Sequence, residues 1–390
     1  MIKRIFHPIG QGAFYSERHE EFNEKFNMVY DCGNWKNTKP ADEVVRQAFI
    51  KGETIDVLFI SHFDYDHVNK ISTLKKHTQI KKVIMPLLHD NEKIFLINLY
   101  KGLGFFQILT LIENPQEFFG EETQIVTVRP SENNENRGVE DIDLDNLKNP
   151  QIQSGSILRK KFKTYEWVFI PFNYKYKSRN RELEDLLSEN GFCVKELKEN
   201  PEYNIEKVVE GRKKLKDIYT KVSGNINENS MLLYSGISHL DESYRQKAFY
   251  FDCFYRCFKC DDEFYHISRW HRMARKNHRV SCIYTGDSNL NTVNVKTIFE
   301  KFWSSVGTIQ VPHHGDIKSF DESILKLDIK SFDESIFDYG YYCPISVGKT
   351  NTYGHPSYTL ISNIISKGSC PILVTEDLNS VFIEYIYKMI

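Results

Sequence analysis

The sequence predicts a layered α/β protein, and two observations carry that expectation. Short apolar runs of strand character alternate with stretches of helical spacing along most of the chain. Several of those runs are also followed by side chains able to bind metal. The clearest case is Thr54-Ile55-Asp56-Val57-Leu58-Phe59-Ile60-Ser61-His62-Phe63-Asp64-Tyr65-Asp66-His67. Val57 to Ile60 has the pattern of a fully buried strand, and His62, Asp64, Asp66 and His67 follow it closely. A strand packed on both faces fixes the direction of what comes next, so two imidazoles and two carboxylates fan out from one rigid point. The spacing suits two cations better than one. His62 and Asp64 can serve one metal, Asp66 and His67 a second. A polar turn closing a core strand is the competing reading.

The elements follow in order. Residues 2 to 31 form a hairpin unit around Gly10-Gln11-Gly12, with a strand Asn27 to Tyr30 entering Asp31-Cys32-Gly33. Asp42 to Phe49 suits a short helix, and Val68 to Lys76 another after the metal motif. Lys82 to Pro86 is a strand closed by proline, Asn91 to Leu103 has helical spacing, and Gln124 to Val128 is a strand. Ser131 to Asn149 is a polar, acidic loop, and Tyr165 to Phe172 returns to strand. Ser178 to Asn190 and Pro201 to Val222 predict two charged helices. With the acidic loop they make an insertion over 131–229. Met231 to Tyr234 and Val280 to Tyr284 resume the sheet, separated by a second insertion at 238–278. Thr308 to Val311 is a strand. Asp316 to Ile324 then recurs identically as Asp328 to Ile336, a duplicated helical segment too short for a solenoid. Strands at Tyr342 to Val347, Pro371 to Thr375 and Val381 to Tyr387 complete the chain.

Of 390 residues, 41% are apolar and 27% charged, which provides ample core. Fifty-one basic and 53 acidic residues nearly cancel, so any nucleic-acid surface must be a local patch. Met1 to Pro8 lacks the features of a signal peptide, and no run approaches the ~18–20 apolar residues of a membrane helix. Eight cysteines without a signal read as reduced thiols. The expected location is the cytoplasm, with no membrane partner.

Three further strand ends share the pattern of the first. Ile283-Tyr284-Thr285-Gly286-Asp287 sets a carboxylate after a glycine, Val311-Pro312-His313-His314-Gly315 sets two histidines, and Tyr353-Gly354-His355-Pro356 sets one in a rigid turn. Each alone is an ordinary turn; four in order indicate one shared site. The ordered series resembles the metallo-β-lactamase superfamily, and more narrowly the metallo-hydrolase domain of ComEC-type competence proteins. Gly10-Gln11-Gly12 with Tyr30-Asp31-Cys32-Gly33, and Asn227 to Leu233, resemble that group too. The resemblance implies a four-layer αβ/βα sandwich, residues 1–390 forming one such domain with two helical and basic insertions, freestanding from any membrane channel. It implies two divalent metals, zinc or manganese, with Asp287 bridging and His313 or His314 completing the second set. Asp66, His313 and His355 are the catalytic candidates; His355, Asn227 and Ser230 are candidates for substrate contact.

The chain departs from the superfamily at Asp64, where histidine is commoner, at Ala13 for an acidic residue, and at Asn69-Lys70 for a glycine pair. No histidine has the spacing of the usual middle ligand, so the first metal lacks an identified third ligand. Two metals about 3.5–4 Å apart can share a hydroxide and clamp an in-line displacement, and the closest resemblance implies a nuclease acting on DNA, in defence against foreign DNA with an ATPase or other protein partner. The run Arg269 to Arg279, with Arg272 and Arg275, and the run Arg159 to Lys163 are candidates to track phosphates, against the reading of solvated charged faces. Cys253, Cys257 and Cys260 offer a small structural zinc site with one histidine, or buried thiols. A small-molecule hydrolase and a silent protein-binding scaffold are the alternatives.

Overall fold

The computed structural model describes residues 1–131, 139–175, 177–222, 229–250, 278–326, 340–352 and 354–388. Among them two large sheets face each other. The first has the order Gln151–Ile152, Gln124–Val128, Lys82–Pro86, Val57–Phe59, Glu24–Cys32, Phe14–Glu21, Ile2–Phe6, Phe382–Lys388 and Tyr244–Tyr250. The second has the order Cys370–Val374, Tyr342–Ser346, Val306–Ile309, Ser281–Tyr284, Asn229–Gly236, Glu166–Lys175, Ile157–Lys161 and Asp141–Asp143.

Three apolar clusters define the layers. Phe6, Tyr30, Phe59, Trp167 and Met231 fill the space between the sheets. Val45, Leu74, Phe95 and Leu99 join the outer face of the first sheet to the helices Lys39–Ala48, Ile71–His77 and Asp90–Leu103. Val295, Ile298, Leu360 and Ile364 join the outer face of the second to Val295–Ile298 and Tyr358–Ser366. The result is the αβ/βα sandwich expected. It explains the uninterrupted apolar run at the opening motif: Val57 and Phe59 point between the sheets and Leu58 toward the helices, because a parallel strand covered on both faces has no polar side.

The first insertion is integrated into the helical layer. Helices Lys177–Glu189, Val194–Glu199 and Gly211–Lys221 bury Leu187, Leu197, Leu215 and Ile218 in the same cluster as Asp90–Leu103. The expected helix from Pro201 to Val222 is instead a 3-10 turn, Ile205–Lys207, followed by Gly211–Lys221. Gly211 marks the break; a Cβ there would sit 2.3 Å from the Ile205 carbonyl oxygen. The described part of the acidic loop holds a strand, Asp141–Asp143, beside Ile157–Lys161. The start of the second insertion is likewise a strand, Tyr244–Tyr250, at the edge of the first sheet.

The first copy of the repeat forms two 3-10 turns, Ile317–Ser319 and Glu322–Leu325, rather than the expected helix. Asp316 and Asp321 accept hydrogen bonds from the amides of Lys318 and Ser323, a local bond that competes with helix propagation. The second copy, Asn227, Tyr353, Arg272, Arg275, Cys253, Cys257 and Cys260 lie outside the described residues. No helix among the described residues is long and apolar enough to cross a membrane.

Candidate metal centre

The site gathers where four strands of the two sheets end. After Val57–Phe59 the chain turns through His62 and Asp64 into a short helix, Tyr65–Val68, carrying Asp66 and His67. Asp287 follows Ser281–Tyr284 by way of Gly286, whose backbone has φ +53. A Cβ on Gly286 would fall 2.8 Å from Ser61 Cβ and 3.0 Å from Ser230 Oγ, so only glycine lets this turn approach so closely. Gln310 ties it to the next strand end, its Oε1 accepting from the amides of Thr285 and Gly286. His313 and His314 both have positive φ, 48° and 54°. Such consecutive left-handed residues are uncommon outside functional sites, and here they turn the two rings in different directions.

Two groups of donor atoms result, each within 4.8 Å: His62, His67 and Asp287, and Asp66, His67 and His314. His62 Nε2 lies 3.7 Å from Asp287 Oδ2 and 3.5 Å from Asp64 Oδ2. His67 Nε2 lies 3.2 Å from Asp287 Oδ1, and His314 Nε2 lies 3.0 Å from Asp66 Oδ2. All six of these side chains are buried. His313 points elsewhere: its Nδ1 is 3.5 Å from Asp316 Oδ2 and its ring centroid 5.8 Å from that of His355. His355 is only partly buried, and its turn docks where Ser357 N donates to the Gly315 carbonyl.

A second layer of hydrogen bonds orients the rings. His67 Nδ1 donates to Asp31 Oδ2 at 2.9 Å, and His314 Nδ1 to the Ser346 carbonyl at 2.9 Å. Ser61 donates its hydroxyl proton to Asp31 at 2.6 Å and so accepts from His62 Nδ1 at 2.7 Å. Tyr100 OH stands 2.9 Å from Asp64 Oδ1. Nδ1 held by a protein acceptor, with Nε2 turned inward, is the usual arrangement of metal-binding histidines. The donor set fits a cation on a further count: Nε2 of His62 and of His67 is buried without a hydrogen bond of acceptable geometry. Buried polar atoms are rarely left so, and a divalent ion would satisfy both.

Electrostatics agree. Burial alone would raise the Asp287 carboxyl, and His67 outweighs it, holding the group well below the carboxylate range. Asp66 is lowered too, its burial offset by His314 and His67. Burial opposes charge on His67, but Asp287 and Asp31 overcome it and raise its pKa. Asp316 is brought to about 2, its burial outweighed by the contact with His313. Burial and the neighbouring His313 lower His355 to about 4.

The structure thus brings together His62, Asp64, Asp66, His67, Asp287 and His314, with His313 and His355 alongside. Ser230 is fully buried against Gly286, the residue before Asp287, so its hydroxyl is not exposed to a substrate. In the Arg159–Lys163 run, expected as a phosphate track, Arg159 pairs with Asp141 and Glu166 and Lys160 with Glu24 and Asp145, and Phe162 is buried, while Lys161 and Lys163 stay exposed. The helix expected over Val68 to Lys76 runs instead over Ile71–His77, and Asn69 and Lys70, in place of a glycine pair, separate it from the short helix Tyr65–Val68. Asn69 bonds the Asn34 backbone at both its amide and its carbonyl, and Lys70 Nζ is buried against Asn37, Thr38 and Asp42. Asp31, Ser61, Tyr100 and Asp316 were missed as site residues. Asp31 alone had a signal, an aspartate entering Cys32-Gly33 at a strand end; its φ of 55° is one aspartate tolerates better than most residues.

Residues 21–144 match the family model described as Metallo-beta-lactamase superfamily. That span holds Asp31 and the whole His62–His67 motif and ends before Asp287, His314 and His355. A search of curated proteins found no match. Among solved structures the chain is similar to the metallo-beta-lactamase fold protein YhfI from Bacillus subtilis, at 10% identity and a TM-score of 0.19. That likeness covers 45% of this chain and 56% of the other, too little of either to weigh further.

Proposed function

We propose that this chain, whose residues 21–144 match the model of the metallo-β-lactamase superfamily, is a metal-dependent phosphodiesterase that cuts nucleic acid, with DNA as the substrate. The observation that carries this reading is the donor set: three carboxylates, Asp64, Asp66 and Asp287, interleaved with three imidazoles around two foci that share His67. Imidazoles favour zinc and carboxylates harden the site toward manganese. Bound there, two such ions would clamp the attacking and leaving oxygens of an in-line displacement. His62, Asp64 and Asp287 would hold one ion, and Asp66, His67 and His314 the other, with Asp287 between them. His355 would hydrogen-bond the diester or its leaving oxygen, and Asp316 would keep the His313 ring turned toward it. A second reading, a small nucleotide diester such as a cyclic dinucleotide, is favoured by the ion pairs of Arg159 and Lys160, which leave only Lys161 and Lys163 of that run to face a polymer.

The test is hydrolysis of bis(p-nitrophenyl) phosphate, single- and double-stranded DNA and RNA, and a cyclic dinucleotide, each with zinc or manganese. The expected result is cleavage of the generic diester and of DNA, reduced more than about 10²-fold by Asp287→Ala, as for the loss of one preorganised electrostatic group. Cleavage that survives Asp287→Ala overturns the site. Metal-loaded protein that cleaves no diester overturns the function.

A further inference from the structure

Beside the metal centre lies a cavity of about 220 Å³ that the chemistry above leaves unused. Gln11, Trp35 and Lys36 form one wall, and Thr350, Asn351 and Thr352 the other. The residues flanking the first wall in the chain touch the metal motif: Ala13 N donates to the Asp66 carbonyl at 3.1 Å, and a Cβ on Gly33 would fall 2.3 Å from the same oxygen. The second wall leads into His355. Asn351 Nδ2 donates to the His355 carbonyl at 2.7 Å, and His355 N donates to Asn351 Oδ1 at 3.1 Å. The cavity therefore sits between the loop that sets Asp66 and the loop that sets His355.

Its walls are stiff. The Trp35 indole stacks on Tyr219 of the inserted helices at 5.6 Å and 12°, with edge contacts to Tyr65 and Phe105. Gly348 N donates to Gln11 Oε1 at 3.1 Å, and Lys36 Nζ donates to Thr350 Oγ1 across the opening. The volume is below the ~300–1,000 Å³ of sites for drug-sized ligands, so it suits one planar ring system rather than a length of polymer. The lining sets hydroxyls, side-chain amides, the Lys36 ammonium and the Glu376 carboxylate around a fixed aromatic ring, donors and acceptors for the edge of an unstacked base beside a ring for its face.

We propose that this cavity is a nucleoside subsite, in which Trp35 stacks the base of the nucleotide whose phosphate lies at the metal centre. The phosphate half of the assignment rests on the phosphodiesterase reading; the base half does not. The test is a fluorescence titration of manganese-loaded, full-length protein with dAMP, deoxyribose 5-phosphate and deoxyadenosine. dAMP should bind at least about tenfold tighter than deoxyribose 5-phosphate, the scale of one base stacked on an aromatic ring. Trp35→Leu should bring that ratio close to one and Trp35→Phe should keep most of it. Thr350→Trp, which fills the cavity from its exposed rim and leaves the packing on Tyr219 intact, should also abolish the ratio. Equal affinities in the wild type, or a ratio unchanged by both Trp35→Leu and Thr350→Trp, overturn the subsite. Saturable binding of deoxyadenosine with no binding of either phosphate compound upholds the subsite and overturns the phosphodiesterase.

Discussion

His62, His67 and His314 each commit Nδ1 to a protein acceptor, the Ser61 hydroxyl, the Asp31 carboxylate and the Ser346 carbonyl, and so turn Nε2 toward a common space. Asp31 bears the most of this, since it also accepts from the Ser61 amide at 2.7 Å and the Ser61 hydroxyl. Asp31→Asn replaces one carboxylate oxygen by a donor, which cannot accept from Ser61 and His67 together. Metal affinity should fall about 10–100-fold, as when other ligand-orienting partners are lost, with the circular dichroism spectrum unchanged. Manganese binding followed by electron paramagnetic resonance checks this, and an unaltered affinity refutes the orienting role. The side chains that the structure gathers were legible as candidates in the sequence because they cluster in short motifs at strand ends. Asp31 had a signal as an aspartate at a strand end, but its role did not, because its partner lies 36 residues away and only the sheet pairing of Glu24–Cys32 with Val57–Phe59 brings them together. The choice between His313 and His314 was equally illegible, since it depends on two left-handed backbones that residue type does not announce.

The helices inserted after Glu166–Lys175 are held by packing on Asp90–Leu103, and Gly102 is a point of close approach. A Cβ there would meet Ile205 Cδ1 at 2.1 Å and Leu215 Cδ2 at 2.7 Å. Two effects oppose each other on substitution. Replacing a helical glycine gains up to ~1 kcal/mol of backbone propensity, whereas overpacking a filled contact costs typically ~1–3 kcal/mol. Alanine leaves the balance close, because both clashing atoms are flexible side-chain ends. Valine adds two further methyl groups and the cost wins. Gly102→Val should lower stability by about 1–3 kcal/mol in urea titration and should speed proteolytic cleavage within residues 177–222. Unchanged digestion and midpoint would show that the contact yields freely. The strand Gln124–Val128 was readable to the residue because an apolar run is bounded by polar turns. Tyr244–Tyr250 was not: its sequence, with Arg245, Gln246 and Lys247, has no strand period, and its place is fixed only by pairing with Phe382–Lys388.

The two sheets are joined through a buried charge network as well as through apolar packing. Arg4 donates to Glu17 at 2.7 Å and to Glu384 at 2.8 Å, all three from the first sheet and fully buried. Ser235 and Tyr284 of the second sheet donate to Glu17, and Thr308 to Glu384. Burial pushes the Glu17 carboxyl up, but Arg4, helped by His19, prevails and lowers it to about 2 from 4.5. A folded-state value below the unfolded one means that the unfolded chain takes up the proton first as pH falls. The stabilisation is therefore complete above about 4.5 and is lost as pH drops toward about 2. A shift of this size corresponds to about 3 kcal/mol. Glu17→Gln keeps the shape, cannot titrate, and leaves Arg4 with one carboxylate. At neutral pH it should be less stable by about 3–5 kcal/mol, the cost of breaking a buried ion pair. Its urea midpoint should also fall less steeply than that of the wild type between about pH 5 and pH 2. Parallel curves for the two proteins would mean that acid unfolds the chain through other carboxylates and that Glu17 holds the sheets together by shape alone.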